Sequence, residues 1–263
     1  MIIPSKNLIP ILFVCFLFFF QKEVTSQNKF KKLVWADEFN YKGLPDSNKW
    51  KFEIGGHGWG NNELQYYSEK DTLNAKVENG VLKINARKQK KENREYTSAR
   101  IVTKSKADFK YGRIEARAKL PASVGTWPAI WMMGNNIDQM HWPACGEIDI
   151  MEHRGKDLNK IFGTLHYPGH SGGNANGNTI TIPSATTAFH IYAVEWDAKE
   201  INFFVDGQLY HTVSNNVSIP FNHNFYIILN LAIGGNFAGK VDPSFTTDAM
   251  EIDYIRVFRK RKK

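Results

Sequence analysis

Gly146-Glu147-Ile148-Asp149-Ile150-Met151-Glu152 sets three acids among three large apolar side chains in one short run. In a regular strand, successive side chains point to opposite faces. Glu147 and Asp149 then share one face, and Ile148 and Ile150 share the other. Continued alternation would put Met151 beside the acids and Glu152 among the isoleucines, where an unpaired carboxylate is costly. One extra residue, a β-bulge near Ile150-Met151, removes the conflict: it turns Met151 inward and returns Glu152 to the acidic face. The run therefore predicts a bulged strand over an apolar interior, with Glu147, Asp149 and Glu152 aligned in a cleft.

Similar strand-like runs recur on both sides at hairpin spacing. They are Lys49–Ile54, Val81–Arg87, Ser98–Lys104, Gly112–Leu120, Phe162–His166, His190–Trp196, Ile201–Val205, Phe225–Leu231 and Ala249–Phe258. Asn79-Gly80 and Asp206-Gly207 are tight-turn signals. In Arg113–Leu120, charged residues alternate with Ile114, Ala116, Ala118 and Leu120, which predicts a half-buried strand with one wet face. No long helical period interrupts the pattern. The fold expected is all-β, an antiparallel β-sandwich, and no repeat or linker divides residues 27–263.

The chain has 263 residues, 42% hydrophobic and 23% charged, which excludes disordered, collagenous and fibrous classes. Lys6 precedes an apolar run, Leu8–Phe20, that is shorter than the roughly 20 residues a membrane-spanning helix needs. Polar residues and then Val24-Thr25-Ser26 follow, so residues 1–26 read as a secretory signal peptide cleaved after Ser26. Cleavage removes Cys15 and leaves Cys145 alone, with no internal disulfide, in a secreted or periplasmic product. It also lowers the formal charge from +8 to +7, much of it at Lys29, Lys31 and Lys32, in the Lys88–Lys91 loop and in the tail Arg259–Lys263. The tail reads as a solvated end. No nucleic-acid module accompanies it, and no nucleic-acid partner is expected.

Two readings suit the acids. One is a cation site or a merely solvated face. The other is glycoside hydrolysis, which places two carboxyl groups on either side of the scissile bond, one ionised to attack and one holding a proton for the leaving oxygen. Aromatic residues are plentiful, with 18 Phe, 10 Tyr and 7 Trp. Indole faces stack on sugar rings as readily as they fill cores. Trp127, Trp131 and Trp142 all lie just upstream of the acidic strand, which favours the sugar reading.

Beyond the acidic run, distinctive segments span the chain. They include Trp35-Ala36-Asp37-Glu38-Phe39, Gly58-Trp59-Gly60-Asn61-Asn62-Glu63-Leu64-Gln65-Tyr66-Tyr67 and Tyr111-Gly112-Arg113-Ile114-Glu115. Trp127-Pro128-Ala129-Ile130-Trp131-Met132, Asn230-Leu231-Ala232-Ile233-Gly234-Gly235-Asn236 and Ile252-Asp253-Tyr254 continue the series. In this order, and with the bulged acidic run, they resemble glycoside hydrolase family 16, specifically its bacterial-type laminarinases (endo-β-1,3-glucanases). The resemblance implies a jelly-roll sandwich with a concave cleft, and endo-acting, retaining hydrolysis of laminarin-like β-glucan by a monomer. It implies Glu147 as nucleophile, Asp149 as assisting carboxylate and Glu152 as acid/base. It further implies sugar contacts at Asn62, Arg100, Trp127, Trp131 and Trp142, with His166 as another. No catalytic cofactor is implied. A structural calcium ion is, held by Glu38, the Gly80 carbonyl and Asp253.

Asn236-Phe237-Ala238-Gly239 departs from the family, whose members often carry Trp and Pro after the Gly-Gly pair. Tyr167–Thr179, rich in Gly, Asn and His, reads as a mobile loop over the cleft. Two other functions compete with laminarin hydrolysis. One is cleavage of mixed-linkage β-1,3-1,4-glucan or an algal galactan. The other is non-catalytic glucan recognition, a class expected to lack one or both glutamates.

Overall fold

Strands make up nearly all the regular structure of residues 29–261, the part of the chain that this computed structural model describes. The expected leader, with Cys15, lies outside the described residues. The strands are β1 (Phe30–Asp37), β2 (Lys51–Glu53), β3 (Gln65–Tyr67), β4 (Ala75–Glu78), β5 (Val81–Lys91), β6 (Arg94–Ser98), β7 (Arg100–Val102), β8 (Gly112–Lys119) and β9 (Thr126–Gly134). They continue with β10 (Glu147–His153), β11 (Lys160–His166), β12 (Asn176–Thr181), β13 (His190–Trp196), β14 (Glu200–Val205), β15 (Gln208–Ser214), β16 (Phe225–Ile233) and β17 (Thr247–Lys260). One helical turn, α1 (Gly235–Ala238), and a 3-10 turn at Gly172–Asn174 are the helical pieces described.

Two sheets stack into a jelly-roll sandwich. One runs β15-β14-β13-β8-β17-β5-β6-β3, with β1 on β17 and β4 on β5; the other runs β12-β11-β10-β9-β16-β7-β2. All named strand pairs are antiparallel except β3 with β6. Inward residues of both sheets, among them Ile114, Val194 and Ile255 facing Ile130, Ile148 and Leu229, form one apolar core. At both expected hairpin turns the backbone takes positive φ twice running, Asn79 and Gly80 at 53° and 78°, Asp206 and Gly207 at 49° and 82°. That is the handedness that matches strand twist in a two-residue turn.

The bulge lies where charge burial requires it. On the β9 side, Asp149 pairs with Trp131 and Met151 with Ile130, leaving Ile150 extra. On the β11 side, the register breaks between Asp149 and Glu152. Ile148, Ile150 and Met151 all enter the core, and Glu152 turns outward with the other two acids.

Two expectations need correction. The charged face of Arg113–Leu120 is not wet throughout: Arg113 and Glu115 are only 8% and 9% exposed. Strand β8 is central, between β13 and β17. Arg113 pairs with Glu115 at 2.7 Å and Glu195 at 3.1 Å, so paired charges cover one another there. Tyr167–Thr179 is not simply a loop, because its last residues join β12, which pairs along β11. Strand β9, which contains Pro128, was not among the strand-like runs expected. Its pairing with β10 ends at Ala129, so Pro128 has only β16 beside it, where Leu231 is its partner.

Deleting Ile150 removes the bulge and turns Glu152 into the core. Thermal denaturation should show a melting temperature lower by about 10 °C or more, the cost expected of a buried unpaired carboxylate. Hydrolytic activity should vanish with it.

Candidate active site

The acids stand on the outer face of the seven-stranded sheet, in the middle of its strand order. Cross-strand pairing gives each its surroundings. Glu147 lies between Met133 and His166, Asp149 between Trp131 and Thr164, and Glu152 between Ala129 and Phe162. A second apolar cluster, Val102, Ala129, Trp131, Met133, Cys145, Tyr226 and Ile228, floors this face beside them. Cys145 is buried there and its thiol is pushed up to about 11 by that burial, so it stays unreactive.

Each outer acid accepts an indole N–H. Trp142 Nε1 donates to Glu147 Oε2, and Trp127 Nε1 donates to Glu152 Oε1 at 2.9 Å. His166 Nε2 lies 3.2 Å from Asp149 Oδ2, an oxygen that is buried and accepts no hydrogen bond. The far nitrogen of the ring, Nδ1, accepts the Gly172 amide at 3.2 Å, which leaves the proton of a neutral imidazole on Nε2, facing Asp149.

Burial raises all three carboxyl groups, and their mutual repulsion raises them further. Glu147 is pushed up to about 8 by burial and then by Asp149. Glu152 reaches about 7 through burial, with Glu147 adding and Trp127 opposing. Asp149 stands well above its ordinary range, from burial and Glu152. Groups this close titrate as a set. The set keeps protons into the neutral range, as an acid catalyst at neutral pH requires.

The expected sugar contacts divide into two groups. Trp142 is 44% exposed and offers an open indole beside Glu147. Trp131 is only 8% exposed and lies under Arg100, whose guanidinium carbon sits 4.8 Å from that ring and 4.6 Å from Trp59. Arg100 also binds Glu53 at 2.5 Å. Asn62 is exposed on a neighbouring loop and bonds Asn236 at 3.0 Å. Trp127 and His166 face the acids directly.

Several residues of the site carried no assignment in the sequence reading. Trp131 Nε1 donates to Asn230 at 2.7 Å, Asn230 donates to the Tyr67 hydroxyl at 3.0 Å, and Tyr67 donates to Glu63 at 3.1 Å. Burial raises Glu63, against help from Gln65, which donates to it at 2.6 Å. Glu63 and Tyr67 lie in the Gly58–Tyr67 segment, so their segment was flagged, but its partners were not. Phe162, Phe237 and Arg154 also gather near Glu152; Phe237 lies in the segment that departs from the family, and the other two gave no local signal.

The expected calcium ligands lie in the other sheet. Strand β5 pairs with β17 up to Ile252 and β1 pairs with it from Ile255 onward, both on the side opposite β8. The residues just after β1 and just before β5 thus both fall alongside β17 near Asp253. Oxygen donors of this kind suit calcium. Glu38 forms a two-armed pair with Arg256 at 2.8 Å, and Asp253 bonds Arg117 at 2.6 Å, so both carboxylates are engaged by arginines. Separately, ligand atoms of Glu147, Asp149 and His166 lie within 4.8 Å of one another, which is the spacing of a catalytic cluster as much as of a cation site.

Residues 60–256 match the family model for glycosyl hydrolases family 16. The chain belongs to that family. It is a glycoside hydrolase, a class that needs no cofactor for its chemistry. It is 47% identical over 243 residues to a beta-glucanase of Rhodothermus marinus, covering 87% of this chain and 85% of that one. It is 39% identical to a glucan endo-1,3-beta-glucosidase of Cryptopygus antarcticus, covering 85% of this chain and 90% of that one. Among solved structures, the laminarinase from Rhodothermus marinus superposes with a TM-score of 0.84 at 46% identity, covering 88% of this chain and 98% of that chain. The laminarinase catalytic domain from Thermotoga maritima gives 0.82 at 46%, covering 88% and 99%.

A carboxyl group raised in the folded state favours folding at low pH and loses that benefit as pH rises through its raised value. The contribution of the trio is complete below about pH 4.5 and declines through about pH 7–8. Glu147→Gln cannot ionise. It should melt near wild type at pH 4, melt about 3–6 °C higher at pH 9, and lack hydrolytic activity in both cases.

Proposed function

We propose that the protein is a secreted or periplasmic, endo-acting, retaining glycoside hydrolase that cleaves β-1,3-glucosidic linkages of laminarin-like glucans as a monomer. The observation that carries the chemistry is the single strand face with Glu147, Asp149 and Glu152, the outer two each held by an indole N–H. Laminarinases and glucan endo-1,3-beta-glucosidases among the relatives support the linkage. The leader-like composition of residues 1–26 supports export. Among the described residues no helix is long and apolar enough to cross a membrane.

The reaction has two halves. In the first, the reactive arrangement of the shared protons has Glu147 ionised and Glu152 protonated: Glu147 attacks the anomeric carbon while the Glu152 proton passes to the glycosidic oxygen. The bond to the leaving sugar breaks and a glycosyl ester forms on Glu147. In the second, water attacks the same carbon, its proton goes to Glu152, and the ester bond breaks. Asp149, hydrogen-bonded to Glu147, steadies the nucleophile and carries part of the proton inventory. His166 orients Asp149. The Trp127 and Trp142 N–H groups fix which carboxyl oxygen faces the substrate.

Relatives include a beta-1,3-glucan-binding protein at 37% identity over 53% of this chain. Both glutamates stand in place here, which favours an enzyme over a binding protein. Relatives also include a keratan-sulfate endo-1,4-beta-galactosidase and an endo-1,3-1,4-beta-glycanase, so the linkage needs a direct test. Reducing-sugar release should be greatest from laminarin, lower from lichenan and absent from agarose. NMR of the first product should show the β-anomer. Greatest release from lichenan or agarose reassigns the substrate, and an α-anomer rules out retention.

Calcium joins this reading as a structural ion bound by Glu38, the Gly80 carbonyl and Asp253, with Arg256 and Arg117 turned aside. Its chemistry there is charge neutralisation, clamping the ends of the sequence at β1 and β17. Chelation should lower the melting temperature by several degrees, about 2–4 °C per kcal/mol of lost binding, with activity at 25 °C little changed. An unaltered melting temperature removes the ion from the account.

A further inference from the structure

Glu152 is surrounded by more than the acids beside it. Phe162 is its cross-strand partner on β11, and Trp127 donates to it from β9. Phe237, on α1, closes the group, its ring 5.1 Å from Phe162 and 5.0 Å from Trp127. Arg154, two residues beyond Glu152, packs against both phenyl rings. Its guanidinium carbon lies 4.7 Å from the Phe162 centroid and 4.8 Å from that of Phe237. The side chain is 23% exposed, and one arm binds Asp157 at 2.5 Å. Its Nε is buried with no hydrogen-bond partner. A guanidinium normally uses its donors. Here aromatic faces hold it instead.

We propose that Arg154 is a positioning residue for the acid/base, a cation packed on Phe162 and Phe237 that favours the carboxylate form of Glu152 without bonding to it. The inference rests on the retaining-hydrolase reading above. The charged and titratable groups around Glu152 divide into opposing sets. Glu147 and Asp149, on its own strand, press a proton onto it. Trp127 from β9, His166 from β11 and Arg154 draw the proton off. Tyr210, from β15, feels the field of Glu152 and stays neutral. Lys156 lies near the end of α1, 3.5 Å from where a side chain on Gly239 would begin, and Asp157 partly offsets Arg154.

Arg154 is charged at every working pH. That constancy matters across the two halves of the reaction. In the first half, Glu152 gives its proton to the leaving oxygen, and Arg154 makes it the stronger acid. Once Glu147 is an ester, its negative charge is gone. Arg154 then remains beside an ionised Glu152, which takes the proton of the incoming water. Phe237 lies in Asn236-Phe237-Ala238-Gly239, the segment that departs from the family pattern.

The test is the pH profile of kcat/KM on laminarin for wild type, Arg154→Gln, Arg154→Met and Arg154→Lys, with a melting temperature for each. Both uncharged variants should shift the alkaline limb upward by roughly half a unit, about threefold more of the wild-type plateau retained at a pH on that limb. The acidic limb should move less, and Arg154→Lys should keep the wild-type profile. An alkaline limb unmoved in the uncharged variants overturns the proposal. So does an equal shift in Arg154→Lys, because packing rather than charge would then be responsible. The two uncharged side chains differ in shape, so a fold defect in one leaves the other to answer. A wild-type chain inactive on laminarin refutes the parent reading before any variant is compared. An active wild type with an unmoved limb refutes only the role of Arg154.

Discussion

Three carboxyl groups crowded onto one strand face are the constraint around which this protein is arranged. Left unpaired in an interior they would be prohibitive, and left in open water they would be ordinary acids. The bulge at Ile150 resolves the first problem by sending Ile148, Ile150 and Met151 into the core. Partial burial on the outer face resolves the second, because it keeps protons on the group into the neutral range. The two effects have opposite signs for stability and for catalysis. The sandwich core carries the cost, and the site has the use of it.

Positive charge flanks the acids without neutralising them. Arg100 lies over the rings of Trp59 and Trp131, and Arg154 over those of Phe162 and Phe237. Each also has one acidic partner, Glu53 or Asp157. A guanidinium packed on two rings is restrained by them, so its field is steady. Trp131 is fixed again from below by the line through Asn230 and Tyr67 to Glu63. Walls tied in this way lose little freedom when a glycan arrives, and preorganisation of that kind favours the transition state over a floppy encounter.

The opposite sheet contributes order of a different kind. Strand β17 is its spine, bordered by β8 on one side and by β5 and then β1 on the other. Two segments far apart in sequence therefore end side by side at Asp253. Arginines occupy the carboxylates there. This is a matter of stability, remote from the acids on the other sheet.

The sequence alone was enough for the sandwich class, both two-residue turns, the bulge and the three acids. Each follows from a local rule: period-two alternation, the positive φ that Asn-Gly and Asp-Gly tolerate, and the expense of burying Glu152 beside Ile148 and Ile150. The likeness to a known family then supplied roles. It did not reveal that Arg113 and Glu115 are buried, because only strand order makes β8 central, or that β9 runs through Pro128, because only its neighbours show that nothing is lost there. It was equally silent on Arg154, on what Phe237 packs against, and on Asn230 bonding Tyr67 across 163 residues. Contacts of that span leave no periodic trace in the chain. Alternation says which way a side chain points, and only the assembled sheets decide what it meets.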